Sequence, residues 1–493
     1  MRAAAWLALL GSTAYAALAG FSVPTQRAML MVAVVMLAIL AGRRIAPIRL
    51  LAVALVLVLL LDTAAVLAPG FWLSFGAVVV IILFLNRFDG LSRWRQLLLL
   101  QFLLSVCLMP LTAWFFGEAS LVSPLANLVA VPVMSLLVIP GALLLAVLAS
   151  FSSFDLAWLV WGLDAVLGWL FDWLRWLSGW SLASVSVPTM NLYQWCALLL
   201  ALGMFLRWRS VGSVLLGGSL LLLAVFWPRE KLEEGAMRIA FLDVGQGLSV
   251  VIETHAHTLV YDLGPRFSDH FTAAEAVVSP YLRWRGINRV DTLVISHEDM
   301  DHRGDLDGFL DEMPVERVLA GLRVPHVTSM ERCQAGQDWQ WDGAEFEVLH
   351  PISDTQVKDN DQSCVLKVSS GSGVDLLLTG DITKSVEAQL ALRSDIDADI
   401  LQVPHHGSDS SSSAGFINAV APEMAVATLG HGNRWRFPKE EVLGRYAEFG
   451  TDFLRTDRSG AVIVTVPAKR DEYRVTLWRD EQRRFWKVGR IAD

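Results

Sequence analysis

Ser296-His297-Glu298-Asp299-Met300-Asp301-His302 follows directly on the apolar run Val290 to Ile295. Five side chains able to ligate a metal fall within these positions, on a loop at the end of an expected strand. A hydrophobic core has no use for so many imidazoles and carboxylates. Divalent ions need them, and two such ions side by side hydrolyse phosphodiesters. The plainer reading is an acidic, solvated loop in which Asp299 or Asp301 caps a helix.

The surrounding text weighs against that plainer reading. From Met237 onward, short β-rich runs alternate with glycine, proline and charged turns, and Arg238 to Asp243, Leu248 to Glu253 and Thr258 to Tyr261 read as successive strands. Asp262 ends the third, and a helix is expected over Gly304 to Leu310. Leu376-Leu377-Leu378-Thr379-Gly380-Asp381 repeats the order of apolar strand, glycine and aspartate, and Asp399 to Val403 runs into Pro404-His405-His406-Gly407-Ser408. Ligand types therefore sit at the ends of several strands, as they do along one edge of a sheet sandwich.

Residues before Trp227-Pro228 are written in a different composition. No lysine occurs there, and 11 arginines face 6 acids, so this half carries +5 against −9 for the whole chain and −14 for the remainder. Apolar spans are expected near 3–20, 29–42, 48–68, 71–86, 97–116, 125–149, 154–177, 192–206 and 211–227. The division is a multi-span domain over 1–228, a linker over 229–236 and a soluble acidic domain over 237–493. Arg43, Arg44 and Arg49 fall in one inter-span loop, and Arg87, Arg93 and Arg95 in another on the same side by parity, which the positive-inside tendency assigns to the cytoplasm. If 154–177 crosses, Arg207 and Arg209 also face inward and the acidic domain lies outside; if that Trp-rich segment lies in the interface, the domain is cytoplasmic. The arginine distribution favours the first arrangement.

Polar groups inside apolar spans are costly and mark pathways or interhelical contacts; Asp62, Gln101 and Asn127 are the channel candidates. Pro124, Pro132 and Pro140 punctuate one span, either to line a cavity or as a packing kink with Asn127 bonded to a neighbour. Cys333 and Cys364 either pair in an oxidising compartment or remain thiols.

Gly20-Phe21-Ser22-Val23-Pro24-Thr25-Gln26-Arg27-Ala28, Gly70-Phe71-Trp72-Leu73-Ser74-Phe75 and Ser123-Pro124-Leu125-Ala126-Asn127-Leu128 resemble the competence domain of the ComEC family, the DNA-internalization proteins of natural transformation. Phe241-Leu242-Asp243-Val244-Gly245-Gln246-Gly247 resembles that family's signature in the soluble half. Members usually carry an N-terminal OB-like region and further membrane segments, and this sequence begins after them, either as a fragment or as a shortened form. The resemblance implies a polytopic all-α membrane domain followed by an αββα metallo-β-lactamase-like sandwich, in the bacterial inner membrane. Its partners would be DNA, membrane lipid and the competence machinery that delivers DNA and receives the single strand, with a homo-oligomer left open.

Carried over residue by residue, the metallo-β-lactamase resemblance makes Asp262 the carboxylate that orients the loop. His297 and Asp299 would serve one ion, Asp301 and His302 the other, and Asp381 would bridge. His405 would be the late ligand in preference to His406, and His431 is either near the site or an ordinary surface histidine. Hydrolysis is expected to depend on Asp301, His302 and Asp381. In most of the superfamily a histidine stands where Asp299 is, and the third-motif histidine is replaced here by Asp359-Asn360-Asp361-Gln362-Ser363. The oxygen-rich set points to two Mn²⁺ ions, with Zn²⁺ or Mg²⁺ as alternatives. A domain at −14 lacks the cationic surface that normally binds phosphates. Arg434, Arg436 and Lys439, or Arg283 and Arg285 around Trp284, are either a DNA strip or solvated charges.

Three functions stay open on these residues. The first is a DNA-uptake channel whose metal domain hydrolyses the strand that is not transported. The second is a transporter with an inactive DNA-binding gate. The third is a membrane-anchored phosphoester hydrolase.

Overall fold

Helices fill the N-terminal part of the computed structural model, which describes residues 2–85, 90, 92–151, 156–180, 183–187, 192–206, 212, 215–220, 231–269, 271–321, 330–352, 359–469 and 472–481. The chain divides into two units, Met1–Trp227 and Pro228–Asp493.

In the first unit, helices cover Arg2–Leu18, Val23–Leu40, Pro47–Leu61, Pro69–Leu85, Arg93–Phe116, Ser123–Val133, Ile139–Phe151, Ala157–Ser178 and Leu192–Leu206. Among the described residues, Val23–Leu40, Arg93–Phe116, Ser123–Ser150 and Ala157–Ser178 are long and apolar enough to cross a membrane. Their apolar side chains face outward: Leu136, Trp158 and Trp161 are largely exposed, as lipid-facing residues must be. The last expected span, 211–227, and Arg207 and Arg209 lie mostly or wholly outside the described residues.

Ser123–Ser150 runs as one helical element because a π turn, Met134–Val138, absorbs the irregularity between Pro132 and Pro140. Ser135 Oγ donates to the carbonyl of Val131 at 2.6 Å, satisfying an acceptor in the disturbed stretch. Asn127 Nδ2 donates to Ser105 Oγ at 3.1 Å, and Ser105 and Gln101 are buried one turn apart on Arg93–Phe116. Asp62 does not belong to this seam. It is exposed beyond the end of Pro47–Leu61, and its Oδ1 accepts from the amide of Ala64 at 3.0 Å, capping the turn Thr63–Leu67.

The second unit is a four-layer sandwich. An eight-stranded sheet runs Met330–Arg332, Val315–Ala320, Val290–Ile295, Thr258–Tyr261, Val250–Glu253, Met237–Phe241, Val462–Val466 and Arg474–Leu477. Facing it is a seven-stranded sheet of Asp338–Trp341, Ala344–His350, Val365–Ser369, Asp375–Leu378, Ile400–Gln402, Met424–Ala427 and Asp452–Arg455. The strand period of two divides each sheet between two cores. Ile239, Phe241, Tyr261 and Val294 meet Phe346, Leu366, Leu376 and Val426 between the sheets. Ala240, Val260, Leu293 and Ile295 turn the other way, onto Leu282, Leu306 and Phe309 of the helices outside the first sheet. Leu377, Leu401 and Ala425 pack on Val386, Ile417 and Tyr446 of the helices outside the second.

Thr258–Tyr261, Val290–Ile295 and Val315–Ala320 are mutually parallel, as are Asp375–Leu378, Ile400–Gln402, Met424–Ala427 and Asp452–Arg455. Parallel strands send successive loops off one end, which gathers distant ligands at one edge. Cys333 and Cys364 form a disulfide, settling the alternative that composition left open.

Candidate metal centre

Asp262 directly follows the strand Thr258–Tyr261 in a left-handed conformation, φ 60°, and is fully buried. Its Oδ1 accepts from the Ser296 amide at 2.7 Å; its Oδ2 accepts from Ser296 Oγ at 2.7 Å and lies 2.8 Å from His302 Nδ1. The carboxylate thus fixes both the start of the loop and the ring of its last histidine. With Nδ1–H directed at Asp262, the neutral tautomer leaves a lone pair on Nε2.

The second histidine loop is built in the same manner. His405 and His406 have φ 48° and 54°, strained values for residues with a Cβ. His406 Nδ1 lies 2.9 Å from the Thr428 carbonyl, which can only accept, so that nitrogen carries the proton and Nε2 again faces inward. Ser410 Oγ meets His405 Nδ1 at 3.1 Å. Buried Glu387 accepts from the amides of Ser412 and Ser413 and so pins the serine run behind the histidines. Burial pushes the Glu387 carboxyl up.

Asp381 enters from the turn after Asp375–Leu378. Gln402 Oε1 accepts from the amides of Thr379 and Gly380, both at 2.8 Å, and Ser363 Oγ accepts from the Asp381 amide at 3.1 Å. Gly380, φ 57°, has no room for a Cβ without crowding Ser296 and Ser363 at 3.0 Å. Gly247 of the Asp243–Gly247 turn is tighter still, because a Cβ there would sit 2.3 Å from the Asp301 carbonyl oxygen.

His302 Nε2 stands 3.2 Å from Asp381 Oδ1 and 3.2 Å from His406 Nε2. His406 Nε2 is 3.6 Å from Asp301 Oδ2, and Asp381 Oδ2 lies 3.7 Å from Nε2 of both His405 and His406. Two ligand groups result, His297 with His302 and Asp381, and Asp301 with His302 and His406, their atoms mutually within 4.8 Å. The fit to divalent ions is good. Neighbouring ligands at bond lengths of about 2.0–2.2 Å stand at such separations, and His297 Nε2 and Asp381 Oδ1 are buried without a hydrogen-bond partner. Lone pairs of two imidazoles converging at 3.2 Å need a cation, either a proton or a metal, between them.

The flanking carboxylates favour a proton at this position in the metal-free protein. Burial alone would depress the His302 imidazole, but Asp381 and Asp262 outweigh it and raise it well above its ordinary value. Burial likewise opposes the His406 imidazolium, yet Asp381 and Asp301 raise it. Against its own burial, Asp381 is held well below the usual carboxylate range by His302 and His406.

Among the sequence-expected residues, His297, Asp301, His302 and Asp381 converge, and Asp262 contacts His302 from behind. Asp299 stands at the rim, nearly half exposed, with its Oδ2 3.4 Å from His297 Nε2. The preference between the late histidines is reversed: the buried His406 enters a tight group, whereas His405 is a quarter exposed beside Asp381. His431 is exposed and stays outside both groups. His350 is turned away, with Nε2 on the Asp361 carbonyl at 2.8 Å. Sequence reasoning missed Ser296, Ser363 and Gln402. Gln402 alone left a signal, as a polar residue within the apolar run Ile400-Leu401-Gln402-Val403.

Residues 1–211 match the model of the competence protein family, and residues 242–431 that of the metallo-β-lactamase superfamily. The chain thus carries a competence-protein domain followed by a metallo-β-lactamase domain. It is 36% identical over 465 residues to competence protein ComA of Neisseria gonorrhoeae, covering 92% of this chain and 63% of ComA. It is 30% identical over 485 residues to the uncharacterized protein YcaI of Escherichia coli, covering 95% of this chain and 62% of YcaI. The competence domain and metal domain thus span a little under two thirds of the length of these relatives. Among solved structures, Igni18, a metallo hydrolase from Ignicoccus hospitalis, aligns over 49% of this chain and 98% of its own with 12% identity and a TM-score of 0.30.

Proposed function

We propose that this competence protein passes one strand of DNA across the bacterial inner membrane while its metal domain hydrolyses the other. The observation that carries the hydrolytic part is the convergence of His297, Asp301, His302, Asp381 and His406 within one buried cluster, on a chain whose other half is a competence domain. The proposed ligands are His297, Asp299, Asp301, His302, Asp381 and His406, with His405 at the rim, for two Mn²⁺ ions in preference to Zn²⁺ or Mg²⁺.

When bound, two such ions activate water and neutralise charge developing on a phosphodiester. The protein's own residues prepare that chemistry. Asp262 and the Thr428 carbonyl hold His302 and His406 in the Nδ1–H tautomer, so neither ring needs to reorient. Gln402 and Ser363 fix Asp381 between the two histidine loops. His405, partly open to solvent and steadied by Ser410, is placed to take or give a proton at a leaving oxygen.

For the membrane half, the buried Gln101 and Ser105 with the half-buried Asn127, and the buried Arg27, whose Nε and Nη1 have no hydrogen-bond partner, support a polar path. The Cys333–Cys364 disulfide favours an oxidising, outward location for the metal domain. A non-hydrolytic gate is favoured only by the replaced third-motif histidine.

The deciding experiment is metal analysis and DNA degradation by the purified full chain, wild type against Asp301→Ala with Asp381→Ala. The wild type should hold about two ions per chain and degrade DNA; the double variant should lose both properties. Degradation by a metal-replete double variant would falsify the site, and metal binding without degradation by the wild type would favour the gate.

A further inference from the structure

Beside the metal centre, the loop Gly430–Lys439 presents an aromatic surface that the ligand set does not use. Trp435 and Phe437 lie stacked, with ring centroids 6.4 Å apart and planes 18° from parallel. Trp435 is 42% exposed, and Phe437 stands edge-on to His405 with centroids 6.1 Å apart. Arg434 covers the Trp435 ring at 4.2 Å, and the Lys439 ammonium lies 5.4 Å from the Phe437 centroid. Among the described residues no ion pair engages Arg434, Arg436 or Lys439. The other basic candidates are committed to carboxylates: Arg283 pairs with Glu312, and Arg285 with Glu253 at 3.0 Å.

A second exposed pair, Phe267 and Phe271, stacks at 5.3 Å, each 53% exposed. Phe267 packs on Gly245. The adjacent Gln246 accepts from the Gly430 amide at 3.3 Å, so one turn joins the two aromatic pairs, and its Gly247 rests on the Asp301 carbonyl.

Resting on the reading of this domain as one that acts on DNA, we propose that Trp435 and Phe437 form a stacking platform for the unpaired bases of a single strand entering the metal centre. A unit at −14 repels a phosphate backbone, so affinity must come from a contact that needs no broad cationic surface. Base stacking on aromatic rings is such a contact, and every base has a face for it. Duplex DNA keeps its bases stacked on one another and cannot use the platform. Arg434 over Trp435, and Lys439, whose ammonium also donates to the Trp435 carbonyl at 2.9 Å, place positive charge only beside the two rings, where the phosphates of stacked nucleotides would lie.

The test is equilibrium binding of fluorescent oligodeoxythymidylate, an abasic strand of the same length and a blunt duplex to the detergent-purified full chain. EDTA is present, so that no hydrolysis is needed for the readout. Trp435→Leu should weaken oligothymidylate binding about ten-fold and leave the abasic strand and the duplex unchanged. Trp435→Phe should restore most of the loss, and Phe437→Leu should repeat it. An unchanged affinity, or an equal loss on the abasic strand, overturns the platform. Binding is scored without turnover, so an inactive nuclease leaves this result standing, and a nuclease indifferent to Trp435→Leu sinks the platform alone.

Discussion

The two units spend their buried polar groups differently. In the described part of the first unit, Arg27, Gln101 and Ser105 are the buried polar side chains; in the second, dozens are buried, among them Asp262, Ser296, His297, His302, Ser363, Asp381 and His406 of the strand-end loops. Helices satisfy their backbone internally, so a membrane unit needs few polar side chains and can place each where a path or contact requires it. A sheet edge that holds imidazoles and carboxylates against their mutual repulsion must instead be scaffolded, here by Asp262, Ser296, Ser363, Gln402 and Glu387. On the proposed reading, the first unit would depend on a thin seam and the second on a dense network.

That contrast can be broken experimentally. The largest effect is expected from Asn127→Leu, which removes the bond to Ser105: DNA uptake by transformation should collapse while hydrolysis by the purified chain stays near wild type. Hydrolysis lost together with uptake would show that the units do not divide the labour. Asp262→Asn strikes the network without touching a ligand position. It should cost about 10–100-fold in metal affinity or turnover, read by metal titration, and a wild-type value would mean that His302 needs no such orientation. Cys333→Ser opens a disulfide-closed loop of 31 residues in sequence separation and should cost the second unit about 3 kcal/mol. The check is its unfolding midpoint, which should fall in the oxidised wild type on reduction and be insensitive to reductant in the variant.

The smallest effect concerns pH. The folded imidazole of His302 is raised, so in the metal-free protein the stability it supplies is fully present below about pH 6.5 and is lost as pH rises through its folded value. Metal must displace that proton, so metal affinity should rise over the same range, with proton release on binding. Calorimetry in buffers of different ionisation enthalpy measures both, and proton uptake on binding would contradict the assignment.

Much of the second unit was legible because strand ends announced themselves. Thr258 to Tyr261 and Val290 to Ile295 were expected with the boundaries they have, followed within two residues by Asp262 and His297. The apolar helices were legible from composition. The helix end at Asp62 was not legible, because a carboxylate within a hydropathic window looks intramembrane, while a helix ends wherever such a side chain can accept its next amide. The deeper placement of His406 than of His405 was not legible, because adjacent residues in left-handed turns point in directions that spacing does not encode.

Sequence alone determined that a lysine-free apolar half precedes an acidic β-rich half, and that metal-type side chains cluster after its strands. Those are local properties, set by composition and by the two-residue strand period. Only the tertiary structure decided that Cys333 meets Cys364, that His406 precedes His405 at the centre, and that Gln402 and Ser363 hold Asp381. Each of these depends on which loops the parallel strands bring to one edge, a relation between residues far apart in the chain.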